Sequence, residues 1–314
     1  MTIAYLDPLS RAWNRMKKAL FQPFDISKWF VVGFTAFLAG LIDYHGGNNG
    51  NFSKDYGRSR WDWDGFTRFP DIASEWIIEH AFWFSLIIFG IIFLIALVIV
   101  LTWLSSRGKF MFLDNVVYNK AEVSKPWREY SKEGNSLFIW RLIYGFICFI
   151  LFILFLIFCF IMIRNMHYGY FSPPGKVLMI IAMILQFLVF IILTAYISLF
   201  LNDFIVPIMY KNKITTSQAW YRFLPILSQH FIYFFLYGLF IFLMGIVVVI
   251  CVLLFGFFTC CIGIVLLIIP YIGSVILLPV SYTFRALSVE FLEQFGPEFS
   301  IFPKPEEIQE SPAQ

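Results

Sequence analysis

Charge is what this sequence has least of. Asp, Glu, Lys and Arg make up 14% of its 314 residues, against about a quarter in a soluble globular chain. The middle of every long apolar run contains no Asp, Glu, Lys, Arg or His. That argues against an ion-coupled transporter, which binds its ion through ionisable groups near the bilayer midplane. It also leaves no nucleophile–base pair to assemble inside the runs, so no catalytic residue is assigned and the chain is read as a non-enzyme. Cysteine is sparse as well. The five cysteines show no framework spacing, and neither CxxC nor HExxH occurs. Cys148, Cys159 and Cys251 lie inside apolar runs, where Cys behaves as a small hydrophobe. Cys260 and Cys261 read as two small residues in a tight apolar turn rather than a strained vicinal disulfide or redox pair. A net charge of +3 is too small to point to nucleic acid. No cofactor is implied. No cleavable leader is visible, because the first apolar run begins near Trp29 behind a polar, basic lead.

What is abundant is apolar surface. Hydrophobic residues make up 60% of the chain, 40 of them Phe, and the mean hydropathy is +0.78. A bilayer core about 30 Å thick needs about 20 helical residues. Runs near 28–45, 82–104, 137–163, 177–201, 231–256 and 262–284 meet that need. They predict an all-α integral membrane protein with six transmembrane helices in one polytopic domain, 1–296. Asp43 and Tyr44 mark the outer edge of the short first span. The last two runs are separated only by FGFFTCCIG (255–263), and Pro270 and Pro279 keep open a re-entrant pair that never crosses. With both termini inside, only Lys54, Arg58, Arg60, Arg68, Arg164 and Lys176 of the 23 Lys and Arg fall outside. This is the positive-inside bias and sets an N-in, C-in topology. The basic residues are thus mainly a topology signal, with anionic-lipid contact as a by-product.

The chain repeats itself. SRAWNRM (10–16) returns as SQAWYRF (217–223), and NKAEVSKPW (119–127) matches NKITTSQAW (212–220) in the spacing of Asn, Lys and Trp. A Phe-Leu-acid phrase follows each even run, at Phe112-Leu113-Asp114, Phe200 to Asp203 and Phe291-Leu292-Glu293. The reading is three parallel-oriented helical-hairpin repeats, about 7–114, 115–210 and 211–293, each led by an amphipathic interfacial helix. In the first, Leu9, Ala12, Trp13, Met16 and Leu20 form the apolar stripe, and Asp7-Pro8 is the expected start.

Candidate contact residues follow from that layout. Trp13, Trp127 and Trp220 are expected at inner headgroup depth, and Trp61, Trp63 and Trp76 punctuate the outer loop 46–80. They are candidates for contact with lipid or a partner. His45, His80 and His167 share the outer face and are the candidate metal ligands, although no metal is assigned. Gln186, alone at depth, suits an interhelical hydrogen bond. Arg141, about a turn into the third run, is expected to reach Asp114 or Asp203. Together with Arg107, Arg222, Arg285, Glu290 and Glu293 these form an expected inner-face ion-pair belt tying the repeats. The tail 297–314, with prolines at 297, 303, 305 and 312, reads as disordered or extended.

SRAWNRMKKALF, SRGKFMFLDNVVYNKAEVSKPWREYSKEGNSLF, NDFIVPIMY and PYIGSVILLPV together resemble an uncharacterised family of bacterial six-span membrane proteins. That family is similar to the membrane domain attached to some glycerophosphoryl diester phosphodiesterases. The resemblance implies a bacterial cytoplasmic (inner) membrane location. It carries over no catalytic residue, because the phosphodiesterase chemistry belongs to a separate soluble barrel. The expected function is a non-enzymatic membrane scaffold or accessory subunit, contacting membrane lipid and a membrane-protein partner or a second copy of itself. The alternative is a lipid or small-amphiphile handler with a cleft between repeats, lined by Arg141, Arg222 or Arg285.

Overall fold

The computed structural model describes residues 3–43, 79–167, 172–259 and 262–303. All regular elements among them are helical, apart from an isolated bridge between Phe21 and Phe24. Helix α1 (Leu6–Phe21) buries Pro8, Ala12, Met16, Ala19 and Leu20, a stripe at three- and four-residue spacing. It starts two residues earlier than an Asp7 cap and Pro8 first position suggest, which leaves Asp7 in the first turn, still favourable beside the helix dipole.

Helix α2 (Ile26–Gly40) is capped by Asp25, whose carboxylate accepts from the Ser27 N–H at 2.8 Å. Its 15 residues extend about 22 Å, short of a bilayer core. Its partner is also not the expected one. Helix α3 (Ala81–Tyr118) is 38 residues long, and α2 lies beside its last third. Lys28 Nζ donates to Asn119 Oδ1 at 2.8 Å, Asn115 Nδ2 to Thr35 Oγ1 at 3.4 Å, and Ser105 Oγ to the Ala39 carbonyl at 2.9 Å. The first expected hairpin, 28–45 against 82–104, is therefore replaced by 26–40 against 105–119. The reason is surface chemistry. Residues 105–119 offer Ser105, Gly108 and Asn115, which admit close backbone approach and hydrogen bonds, while 82–104 offers almost only bulky apolar side chains. At Gly108 a Cβ would come within 2.7 Å of the Leu38 and Ala39 backbone.

The chain continues through α4 (Ser124–Glu129) and α5 (Ser131–His167). Then come α6 (Pro173–Phe200), a π turn (Leu201–Ile205) and α7 (Val206–Asn212), which run on as one rod. Helix α8 (Thr216–Gln229) starts at a reciprocal capping box between Thr215 and Gln218. Next are α9 (Phe231–Phe258), α10 (Ile262–Ile268), α11 (Pro270–Ile276) and α12 (Leu278–Glu293). Helices α11 and α12 meet at a 65° bend, with Pro270 and Pro279 in their first turns.

Four helical stretches, α3, α5, α6–α7 and α9, are long and apolar enough to cross a membrane, and a fifth is reached if α11 and α12 count as one bent span. By length and composition these helices are consistent with a multi-pass membrane protein. The sixth expected run is broken, and its α11 packs on α2. Val275 sits where a side chain at Gly33 would be, and Tyr271 OH donates to the Phe30 carbonyl at 2.9 Å.

The core lies at one end of the long helices. Phe204 is its centre, with ring centroids of Phe234 and Tyr237 at 5.0 Å and Phe223 at 5.4 Å. By contrast, the most apolar window is wholly unburied in α3, α5 and α6–α7 and only 6% buried in α9. In water such exposure would be prohibitive, whereas lipid accepts it because helices satisfy their own backbone. The start of the tail is packed rather than extended. Residues Pro297–Phe299 form a 3₁₀ turn, Phe299 and Phe302 are buried, and Lys211 Nζ holds the carbonyls of Glu298 (2.8 Å) and Ser300 (2.5 Å). Residues 304–314 lie outside the described residues, as does the outer loop apart from Glu79 and His80.

Candidate functional site

Past its apolar stretch, α3 turns polar, and the Lys109 side chain is 1% exposed. A buried ammonium is tolerated only with partners, and Lys109 has two. Its Nζ contacts the Asp43 carboxylate and the Asn202 side-chain oxygen. Arg141 of α5 donates to the other oxygen of Asp43 at 2.7 Å and to Ser105 Oγ at 3.2 Å. Arg285 of α12 donates to the Asn202 carbonyl at 2.7 Å. Asn202 and its neighbour Asp203 sit in the π turn, a widening that recurs at functional sites. Asp203 accepts from the fully buried Tyr237 hydroxyl at 3.0 Å. Three cations and two carboxylates thus converge where α3, α5, α6 and α12 meet the end of α2.

Three of these residues arrive by one local pattern. Ser105 precedes Lys109, Ser198 precedes Asn202 and Ser281 precedes Arg285, each by four positions, so each pair shares a helix face. The register that aligns Trp127 with Trp220 also aligns Ser105 with Ser198 and Lys109 with Asn202.

The cluster faces open space. A cavity of about 210 Å³ is lined by Asp43, Lys109, Asn202, Asp203, Ser281 and Arg285 among others. A second, of about 570 Å³, shares Asp43, Asn202 and Asp203 and continues past Ser198 and Thr194 along Ile191, Leu199 and Ile241. The two form a cleft with a charged foot and an apolar wall. Such a site can hold a polar head by charge and hydrogen bonds and an alkyl portion by contact.

The expected belt divides among several places. Arg141 reaches Asp43, not Asp114 or Asp203, because α2 ends beside α3 and α5 rather than at an opposite face. Asp114 is held by tyrosines, at 2.7 Å from Tyr210 OH and 3.5 Å from Tyr130 OH. Burial, before any other cause, pushes the Tyr130 phenol well above its ordinary pKa, so it remains a donor. Glu290 binds Arg11 at 2.9 Å and Arg15 at 2.5 Å, which fastens α1 along α12. Arg107 stacks 4.6 Å over Trp103 and 4.9 Å over Trp127 and donates to Asn135. Glu293 accepts from Ser300 Oγ at 2.7 Å, and Arg222 is exposed.

The three described repeat tryptophans have unlike surroundings. Trp13 is 46% exposed and rims an apolar groove with Leu6, Leu9, Met244 and Val248. Trp127 is edge-on to Trp103, with ring centroids 5.6 Å apart. Trp220 stacks on Trp140 at 5.7 Å, and its indole N–H is buried with no hydrogen-bond partner among the described residues. The Trp220 indole N–H is therefore turned into the protein rather than toward solvent. Trp61, Trp63, Trp76 and His45 lie outside the described residues, as do Cys260 and Cys261, and of His167 only the backbone is described. His80 is exposed at the start of α3, and Gln186 is exposed on α6. Among the described residues no group of three His, Cys, Asp or Glu is placed to hold a metal ion.

Sequence reasoning missed Lys109, Asp43, Asn202, Ser105 and Tyr237. The repeated Ser at fourth-residue spacing from Lys109, Asn202 and Arg285 was the signal that could have found three of the partners.

A family model covers this chain over residues 3–294, and the chain belongs to that family, a family of unknown function (DUF7544). No curated protein and no solved structure matches it.

Proposed function

We propose that this member of the DUF7544 family is a non-enzymatic membrane protein that binds a lipid or small amphiphile in the cleft beside α6 and α9. The observation that carries this reading is the continuity of a charged foot (Asp43, Asn202, Asp203, with Lys109 and Arg285 behind them) with an apolar wall of Ile191, Leu199 and Ile241. A polar head set on the foot would leave its alkyl part along helices that face lipid already. Arg141 and Arg285 line or support this cleft. Arg222, the third arginine expected there, is exposed and belongs elsewhere.

Filling the cleft tests the reading without touching the charges. Ala195 lines the wall and is exposed, so Ala195→Trp occupies the cavity while leaving the packed end intact. The wild-type protein, extracted in mild detergent, should carry an amphiphile detectable by mass spectrometry of its organic extract, and the variant should lose it. An equal amount of the same molecule in both would end the proposal.

A second reading, the scaffold or accessory subunit, has its own support: the near-complete exposure of the apolar windows of α3, α5, α6–α7 and α9. These faces suit lipid, a membrane-protein partner or a second copy of the chain. If the natively extracted protein migrates alone and monomeric, that reading fails. The wider frame stays part of the proposal: a bacterial inner-membrane protein, three parallel repeats, both termini cytoplasmic, and kinship to the membrane domain of glycerophosphoryl diester phosphodiesterases. Convergence of Lys109, Asn202 and Arg285 from three helices supports the repeats. The short α2 and the bent α11–α12 pair count against six equal crossings.

A further inference from the structure

Away from the charge cluster, and sharing no lining residue with it, the last two turns of α1 face the C-terminal end of α3 across a cavity of about 660 Å³. Arg15, Lys18 and Lys120 line it, and among the described residues no carboxylate does. Its lining also includes buried apolar side chains, Ala19, Val116, Val117 and Tyr282. Charged residues on an ordinary solvated face stand on a convex surface. Here they ring a concavity with a hydrophobic floor.

The cations are positioned rather than merely present. Arg15 is fixed by Glu290 at 2.5 Å and by the Phe302 ring 3.8 Å from its guanidinium carbon, and Glu290 is already shared with Arg11. Asn119, in the left-handed region at φ 55°, ends α3 and turns the chain so that Lys120 reaches the rim. Lys28 adds a nearby positive charge through its bonds to Asn119 and the Ala19 carbonyl. Among the described residues, neither Lys18 nor Lys120 forms an ion pair with a carboxylate. Pro303 closes one side of the cavity, held by the same Phe302–Arg15 contact.

We infer that this pocket binds a phosphate-bearing ligand, with Lys18 and Lys120 on the phosphate, Arg15 as a pre-set third cation, and the apolar floor under the ester portion. Two sources share that chemistry: the headgroup of an anionic phospholipid and a soluble phosphate ester. Two lysines without a carboxylate partner among the described residues, beside an arginine that Glu290 holds in place, suit either. The inference does not rest on the cleft reading and survives its failure.

The test uses the full chain in a nonionic detergent. Native mass spectrometry follows binding of phosphatidylglycerol, with zwitterionic, net-neutral phosphatidylcholine as the comparison, and inorganic phosphate or glycerol phosphate is added as competitor. Lys18→Gln/Lys120→Gln is compared with Lys132→Gln/Arg222→Gln, which removes the same charge from exposed positions elsewhere. Both lysines of the pocket are exposed, so neither variant disturbs the core. The expected result is phosphatidylglycerol binding by the wild type and the control, weakened on the order of tenfold in the pocket variant, with phosphatidylcholine unaffected. If instead the soluble phosphates bind and the pocket variant loses them while its lipid binding is unchanged, the same site takes a soluble ester. If the pocket variant and the control bind every probe alike, the inference is overturned.

Discussion

Asp43 and Lys109, 66 residues apart, meet through carboxylate and ammonium, and that contact places the end of α2 level with the polar part of α3. Arg141 completes the arrangement from α5, on the other oxygen of the same carboxylate. One anion thus neutralises two buried cations, and its removal should be felt more than that of either cation alone. Asp43→Asn should destabilise by about 3–5 kcal/mol, the usual cost of leaving a buried charge without its partner. Lys109→Met in the Asp43→Asn background should recover part of the loss. Thermal unfolding in detergent reads both, and strictly additive effects would mean that the two side chains do not interact.

The packing of α2 gives a cross-linking test. In a background with the five cysteines replaced, Thr35→Cys/Asn115→Cys should close a disulfide on mild oxidation, because these side chains touch at 3.4 Å. Thr35→Cys/Phe93→Cys should not. Efficient closure of the second pair instead would restore a full-length first hairpin.

Two glycines should respond in opposite ways. Gly108→Val forces a side chain into the Leu38–Ala39 backbone, 2.7 Å from the new Cβ, and should cost at least about 1–3 kcal/mol. Gly145 has nothing within 4 Å of a Cβ. Gly145→Ala should be neutral or raise stability by roughly 0.5–1 kcal/mol through helix propensity. Melting temperatures of the two variants separate the cases.

Glu290→Gln tests how α1 is held. The Glu290 side chain is 1% exposed and answers both Arg11 and Arg15. Losing its charge should cost about 1–3 kcal/mol and raise amide exchange across residues 6–21, with exchange in α5 unchanged. Equal protection of α1 in both proteins would mean that its apolar stripe alone holds it.

Much of the helical content was legible. Apolar runs of more than 20 residues at 82–104, 137–163, 177–201 and 231–256 each became part of a long helix. The amphipathic spacing of Ala12, Met16 and Leu20 identified the buried side of α1, though Trp13 turned out exposed. The site was far less legible. Arg141, Asp203 and Arg285 were recognised as ion-pair formers, but their partners were not. Span length alone sets Asp43 at an outer edge, and the Lys/Arg bias counts Lys109 only as one of the inner cations.

By itself, then, the sequence determined local matters: that the chain is helical, which stretches suit lipid, and which helix faces are polar. These depend on neighbours within a few turns, where side-chain chemistry and the helical period suffice. Only the tertiary structure decided that α2 stops beside residues 105–119, that α11 and α12 bend at 65°, and that Lys109, Asn202 and Arg285 converge. Those outcomes depend on whether small and polar residues from distant segments admit each other's backbone and answer each other's charge, a condition that no one segment carries.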